Sequence, residues 1–506
     1  MSTLTQTFLA RSALSLLALC ASSSLVACAA DESEGAEAES AESHDLTALP
    51  ADPNELLAAE EAAPLTPAEW WRELLDRLAR RDAGTPTVDA GALDGGAPES
   101  DAGAPTPDDA GAPTSDAGAP APNGTGAVGR PQGFARNVTG GKGGAVVRVT
   151  NIRELKQALC GSTSGNNCTD STPRIIELPA QVFDFTGSEG TAREQGCVVK
   201  QCTGGQKSEN ILNRQNWCGQ NGNKPLFSIT YDKAGTTPLL VGSNKTVVGL
   251  GTGATIRGKG LTLRGGVRNV IIQNITLTEI NAQTVWGGDA LTIDDADGVW
   301  FDHNRVSLVG RQMLVTGFGK ASNVTFSNND FDGRTPYSAT CNCAHYWAFL
   351  FLGANDTLTL QNNWIHDISG RAPHAGGMQN ATNTIHFVNN LFDKMPGHAL
   401  EPLTKTARLV LEGNYFRGVA TLMQKGSDVG YVFGPADPVG AGLNQQCQTA
   451  LGRPCKGNVA DGGAKLPTDQ AALNALSKAP KDALIVANDA RTALDVPKSA
   501  GPRALR

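Results

Sequence analysis

The chain has 506 residues, 40% of them hydrophobic and 5% aromatic, with 58 glycines and a formal net charge of −8. That length suits one large domain with appendages, and that balance suits short strands and many tight turns. The charge is divided, since residues 1–126 hold 22 Asp and Glu against 5 Lys and Arg, leaving 28 acids and 37 bases for the rest. An acidic leader therefore precedes a basic body suited to an anionic partner. Basic and aromatic residues are not interleaved as in nucleic-acid modules, so nucleic acid is set aside in favour of an acidic polysaccharide.

In chain order, residues 1–28 read as an export signal. Arg11 supplies a charge, Leu14 to Leu19 an apolar run, and Leu25-Val26-Ala27-Cys28 resembles the lipobox of bacterial lipoproteins. Lipidation of Cys28 is the expectation, with a simple cleavage near Ala-Cys-Ala-Ala as the alternative. Ala29, rather than Asp, points to the outer membrane or cell surface. Residues 29–128 form an acidic leader expected to be disordered, with one amphipathic helix over 66–81. Thr66 and Glu69 make its capping box and Pro67 sits at its first position. Trp70 and Trp71 invite a binding role, but a loosely docked helix explains them as well. Intact copies of Asp-Ala-Gly-Ala-Pro at Asp101, Asp109 and Asp116 have no apolar payload and read as a stiff spacer.

The folded domain spans 129–506. Strand-like runs at 145–149, 174–178 and 182–185 flank a helix at 151–159. Residues 187–235 form a Cys-containing loop region without strong periodicity. From about 239 to 419 one phrase recurs: alternating apolar residues closing on Asn or an Asn pair. Copies end at Asn274, His303-Asn304, Asn328-Asn329, Asn362-Asn363, Asn389-Asn390 and Gly413-Asn414, with steps of 29, 25, 34, 27 and 24 residues. A strand and a turn per copy at this irregular period predict an all-β parallel solenoid, with the Asn positions stacked as a ladder and loops of uneven length projecting from one side. Residues 420–506, with a helical patch at 469–477, read as a tail that wraps or caps the solenoid. Apart from Cys20 and Cys28, nine cysteines remain. An exported location permits disulfides, the odd count leaves one thiol over, and the choice falls on Cys341 or Cys343. No Cys/His spacing suits zinc.

Ten motifs then appear in order over about 130–460. Among them are Val285-Trp286-Gly-Gly-Asp289-Ala, Val299-Trp-Phe-Asp-His303, Gly310-Arg311-Gln, His345-Tyr-Trp347, Ser369-Gly-Arg371-x-Pro373, Gly397-His-Ala399 and Glu412-Gly-Asn-x-Phe416. Together they resemble the pectin lyases of the pectate lyase superfamily. The resemblance implies a right-handed single-stranded parallel β-helix with a groove made by long side loops. It implies cleavage of methyl-esterified polygalacturonan by β-elimination, without a cofactor, by a monomer. It also implies Arg371 as the catalytic base, Arg311 in place of a calcium-binding aspartate, Asp289 beside it, and Trp217, Trp286 and Trp347 as groove tryptophans. Disulfides Cys197–Cys218, Cys202–Cys341 and Cys447–Cys455 follow from it. Cys160–Cys168 is added as an extra pair, which leaves Cys343 free. His374 stands where the family has Lys and is taken as a substrate contact.

The chemistry explains these residue types. The C5 hydrogen of galacturonate lies α to the C6 carbonyl, and removing it builds charge on that group. A methyl ester is neutral, so cations or donors aimed at the developing enolate suffice. A free carboxylate needs its extra charge offset, usually by Ca²⁺ on clustered carboxylates. A guanidinium at Arg311 repels Ca²⁺ and can supply the charge. Arg371 must lose its proton at least transiently to act as a base, although arginine normally keeps it; an electrostatic clamp on the carbonyl is its other reading. Asp294, Asp295 and Asp297 suit a solvated turn, or calcium ligands with Asp289. Trp300 reads as core, and Asp302-His303, His366, His386 and His398 as structural. Two alternatives stay open: a calcium-dependent pectate lyase, and a β-helix that only binds acidic polysaccharide.

Overall fold

The computed structural model describes residues 124–376, 381–402, 404–424 and 430–504. The export signal, Cys28, the 66–81 helix and the spacer lie outside them. No helix among the described residues is long and apolar enough to cross a membrane.

The described residues form a parallel β-helix. Its register can be followed through a column of inward side chains, one per coil: Ile176, Val247, Ile272, Phe301, Phe326, Leu360, Phe387 and Leu411. All are fully or almost fully buried. The later steps of this column match the spacing of the Asn phrase. A second wall repeats the arrangement with Phe183, Ile256, Leu277, Val306, Phe331, Ile365, Phe392 and Phe416. Stacked rings such as Phe392 on Phe416, 4.6 Å between centroids, show how the coils share one apolar interior. Each coil alone would expose its inward row, so burial comes only from the neighbours.

The recurring Asn pair divides its labour. Asn274, His303, Asn328, Asn362, Asn389 and Gly413 all take positive φ, between 50° and 64°, where Asn and Gly fit best. They turn the chain between walls. The next residue turns inward, and Asn304, Asn329, Asn363, Asn390, Asn414 and Asn458 form a ladder. Each Nδ2 donates to the next Oδ1 at 2.8–3.3 Å. Each Oδ1 also accepts a backbone N–H from the coil before, as Asn363 does from Asn329.

The coil begins earlier than the Asn phrase. Ala145–Arg148 and Lys245–Gly249 both pair in parallel with Arg174–Leu178. The helix Ile152–Leu159 covers this end, burying Leu155, Ala158 and Leu159. The Asn151 side chain accepts from Glu154 N, and Glu154 in turn accepts from Thr150 N. Residues 187–235 hold a small antiparallel sheet, Thr191–Val198 with Phe227–Asp232 and Asn210–Leu212. Its strands are short and mostly exposed on one side, which is why periodicity did not reveal it. At the other end the tail packs helix Gln470–Leu476 on the last coils, as its sequence suggests. It also adds helix Ala441–Leu451, whose apolar content is too low to stand out.

Disulfides between described residues join Cys160 to Cys168, Cys197 to Cys218, Cys202 to Cys341 and Cys447 to Cys455. Cys343 is not free but disulfide-bonded. Trp300 is buried, but not in the solenoid interior: its ring packs under Ala127, Ala135 and Val138 on the outer face, and its Nε1 donates to Ser327.

Candidate active site

The site grows from one edge of the third wall. Leu291, Leu314 and Phe349 stack in register, as do Leu350, His374 and Glu401. Bonds from Ala290 N to Gln312 O, Met313 N to Ala348 O, and Ala372 N to Ala399 O carry the ladder further back. Continuing the register places Asp289, Gln312, Trp347, Arg371 and His398 in one row on five successive coils. At a strand spacing of about 4.8 Å, residues distant in sequence become neighbours.

One half centres on Arg311. Its guanidinium lies 4.2 Å above the Trp286 ring, and its Nη1 is 3.3 Å from Asp289 Oδ2. Asp289 Oδ1 accepts the backbone N–H of Gln312 at 2.9 Å. The other half centres on Arg371, whose guanidinium lies 4.8 Å from the Trp347 ring and 5.4 Å from Tyr346. Trp347 Nε1 donates to Glu209 at 3.0 Å. His345 joins the halves: its Nε2 lies 2.7 Å from Arg311 O and 3.0 Å from Trp347 O. Both partners only accept, so this nitrogen carries the hydrogen. Burial holds the imidazole down to about 4, against the pull of these two carbonyls, so it bridges the coils as a neutral donor.

Glu401 gathers the basic groups behind Arg371. His374 Nδ1 is 2.8 Å from Oε1, while His398 Nε2 and Arg371 Nε are 3.3 and 3.5 Å from Oε2. Burial works against this carboxylate, but the charges of His374 and Arg371 outweigh it and hold it well below the usual range. Burial depresses His374 in turn. Glu209, with Trp347 as its side-chain hydrogen-bond donor, is pushed well above the usual carboxylate range by burial.

Arg371 and Trp286 both have positive φ, 57° and 72°, a backbone conformation that is costly for large side chains and concentrates at working sites. Several buried polar atoms here have no hydrogen-bond partner: Arg371 Nε and Nη1, Trp286 Nε1 and both amide atoms of Gln312.

Asp289, Arg311, Trp286, Trp347, Arg371 and His374 thus fall in one connected cluster. The tryptophans differ from expectation. Trp217, Trp286 and Trp347 are 4, 4 and 2% exposed, and the faces of the last two carry guanidinium groups rather than lying open to a sugar. Trp217 sits in the Cys197–Cys218 loop and, among the described residues, makes no such stacking contact with either arginine. His398 was read as structural but belongs to the cluster. Glu401, His345, Tyr346 and Glu209 were given no role. The available signal was an acid at the end of an apolar run, His398-Ala-Leu-Glu401, and the two residues before Trp347.

Calcium does not fit here. The carboxylate of Asp289 is occupied by Arg311 and by the N–H of Gln312. Asp294 accepts from Gly319 N and Asp297 from Asn323. Among the described residues the one cluster of three or more potential metal ligands is Asp332, His366 and Asp367, on another wall and paired with Arg305 and Arg334.

Residues 196–433 match a family model described as pectate lyase. A probable pectin lyase E of Aspergillus fumigatus is 44% identical over 336 residues, covering 65% of this chain and 82% of the relative. A probable pectin lyase F of Neosartorya fischeri is 46% identical over 297 residues, covering 58% and 73%. A solved pectate lyase from Bacillus sp. N165, in complex with trigalacturonate, is 15% identical with a TM-score of 0.46, covering 74% of this chain and all of that one. With its parallel solenoid and relatives of this identity over most of their length, the chain belongs to the pectate/pectin lyase family.

Proposed function

We propose that the enzyme is a pectin lyase that cleaves methyl-esterified polygalacturonan by β-elimination, with Arg371 as base and Arg311, beside Asp289, as the fixed positive charge. The C5–H bond breaks and its proton passes to a transiently neutral Arg371 guanidine. The electron pair forms the C4=C5 double bond, the C4–O bond breaks, and the departing oxygen takes a proton from solvent. The products are a 4,5-unsaturated uronate ester and a shortened chain. Charge that develops on the ester carbonyl is met by guanidinium groups already in place, which need no reorganisation during the reaction.

The observation that carries this reading is the Arg311–Asp289 pair, a built-in cation where a divalent ion would otherwise offset a free carboxylate. No cofactor is needed for an ester substrate. Trp217, Trp286, Trp347 and His374 are read as the walls of the substrate groove, with the last three acting through the groups they hold. At the other end of the chain, the lipobox at Cys28 and the Asp-Ala-Gly-Ala-Pro spacer support an exported monomer held at the cell surface by lipid alone.

Product absorbance on highly methylated pectin and on polygalacturonate, each with calcium or chelator, tests the assignment. Activity on the methylated polymer that survives chelation is expected. Activity on the de-esterified polymer alone, abolished by chelator, would make it a calcium-dependent pectate lyase.

A further inference from the structure

We propose that Glu401 is a positioning residue for Arg371, holding the guanidinium by its Nε edge so that Nη1 stays bare for the substrate. This deepens the reading of Arg371 as the base and rests on it.

The geometry is over-determined around one carboxylate. Oε1 is taken by His374 Nδ1 at 2.8 Å, and Oε2 faces His398 Nε2 at 3.3 Å and Arg371 Nε at 3.5 Å. Glu401 stacks on His374 in the strand register, and its N–H donates to Pro373 O at 2.8 Å. Glu401 is thus held by the strand His374–Ala375, three residues after Arg371, as well as by its own strand. The guanidinium carbon lies 4.8 Å from the Trp347 ring and 5.4 Å from the Tyr346 ring, two rings at 81° to each other, so the rings bound it on two sides and Glu401 faces its Nε edge. Nε and Nη1 are both buried without a hydrogen-bond partner, and Nε is the one that forms an ion pair with Glu401. A donor left bare beside so many fixed groups costs stability unless a ligand completes it.

The groups facing Glu401 are Arg371 and His374 on the coil below, His398 on its own strand, and the Tyr346 hydroxyl on the coil before. All but Tyr346 can carry positive charge, and they keep the carboxylate ionised.

Glu401→Gln keeps the shape and removes the charge. On highly methylated pectin, where few substrate carboxyls titrate, kcat should fall at least tenfold with KM nearly unchanged. Glu401→Asp keeps the charge but withdraws it, so it should also lose kcat with KM nearly unchanged. A kcat within threefold of wild type in Glu401→Gln, or a loss that falls on KM instead, overturns the proposal. If Glu401→Gln does not fold, Glu401→Asp decides, because wild-type kcat there overturns it equally. The reading of Arg371 as base fails separately, through turnover that persists in Arg371→Ala.

Discussion

Two rows of buried polar side chains run up this solenoid, and they are built on opposite terms. In the Asn304–Asn458 ladder every rung both gives and takes: the amides bond to one another, and the backbone of adjacent coils bonds to them. In the row Asp289, Gln312, Trp347, Arg371 and His398, all but half-buried His398 are buried, yet Gln312 and Arg371 keep atoms without hydrogen-bond partners. A satisfied buried network rigidifies a fold, whereas bare buried donors weaken it. The ladder serves stability at no expense to chemistry. The second row gives up stability to keep donors ready for a substrate, as a preorganised site must.

The largest way to sharpen that contrast is Arg371→Ala. Loss of a positioned base lowers kcat on methylated pectin by about 10³-fold. Retained binding of methylated oligomers with lost turnover would also exclude a merely binding β-helix. The mirror experiment is Asn363→Ala. It strips acceptors from Asn329 N and Nδ2 and the donor to Asn390, and about 3 kcal/mol of stability should go with them. Urea unfolding reads that loss, and kcat well below the melting temperature should stay near wild type. A third variant, Gln312→Leu, replaces an unpaired buried amide by an apolar group of similar size. Its stability should change by less than about 1 kcal/mol, or improve, while KM for pectin rises if the amide meets the sugar. A large loss of stability in Gln312→Leu would mean that the row is structural like the ladder, and the contrast would fail.

Much of this was legible in sequence because a solenoid writes its geometry as repetition. The Asn pair announced both turn and ladder, since positive φ and an inward amide each select that residue. Arg311, Arg371 and Asp289 stood out because the motifs that hold them resemble those of the pectin lyases. What stayed hidden depends on stacking across coils. Glu401 lies thirty residues from Arg371 in sequence but one coil away in space, and nothing local in His398-Ala-Leu-Glu401-Pro marks it as that partner. The surroundings of the tryptophans stayed hidden for the same reason. Their suitability for sugar stacking is a property of the indole, but which face is covered depends on a guanidinium from elsewhere.

The smallest prediction separates the two regions by proton uptake. His366 belongs to the structural wall, where its Nε2 meets Asp330 at 2.9 Å and its Nδ1 meets Asp367 at 2.6 Å. Burial works against its charge, but these carboxylates overcome it and raise the imidazole to about 9. His374 in the site moves the other way, because burial there is not outweighed. A His raised above its unfolded value of about 6.5 binds more protons in the folded state between those two pH values. Its stabilisation is therefore complete below about pH 6.5 and is lost as pH rises toward 9, by at most about 3 kcal/mol. Urea midpoints across pH 6 to 9 should fall for the wild type, and His366→Gln should flatten that slope while leaving the pH profile of kcat/KM in place. If the slope persists in His366→Gln, the titrating group lies elsewhere, and the wall is not the fully paired region that the contrast requires.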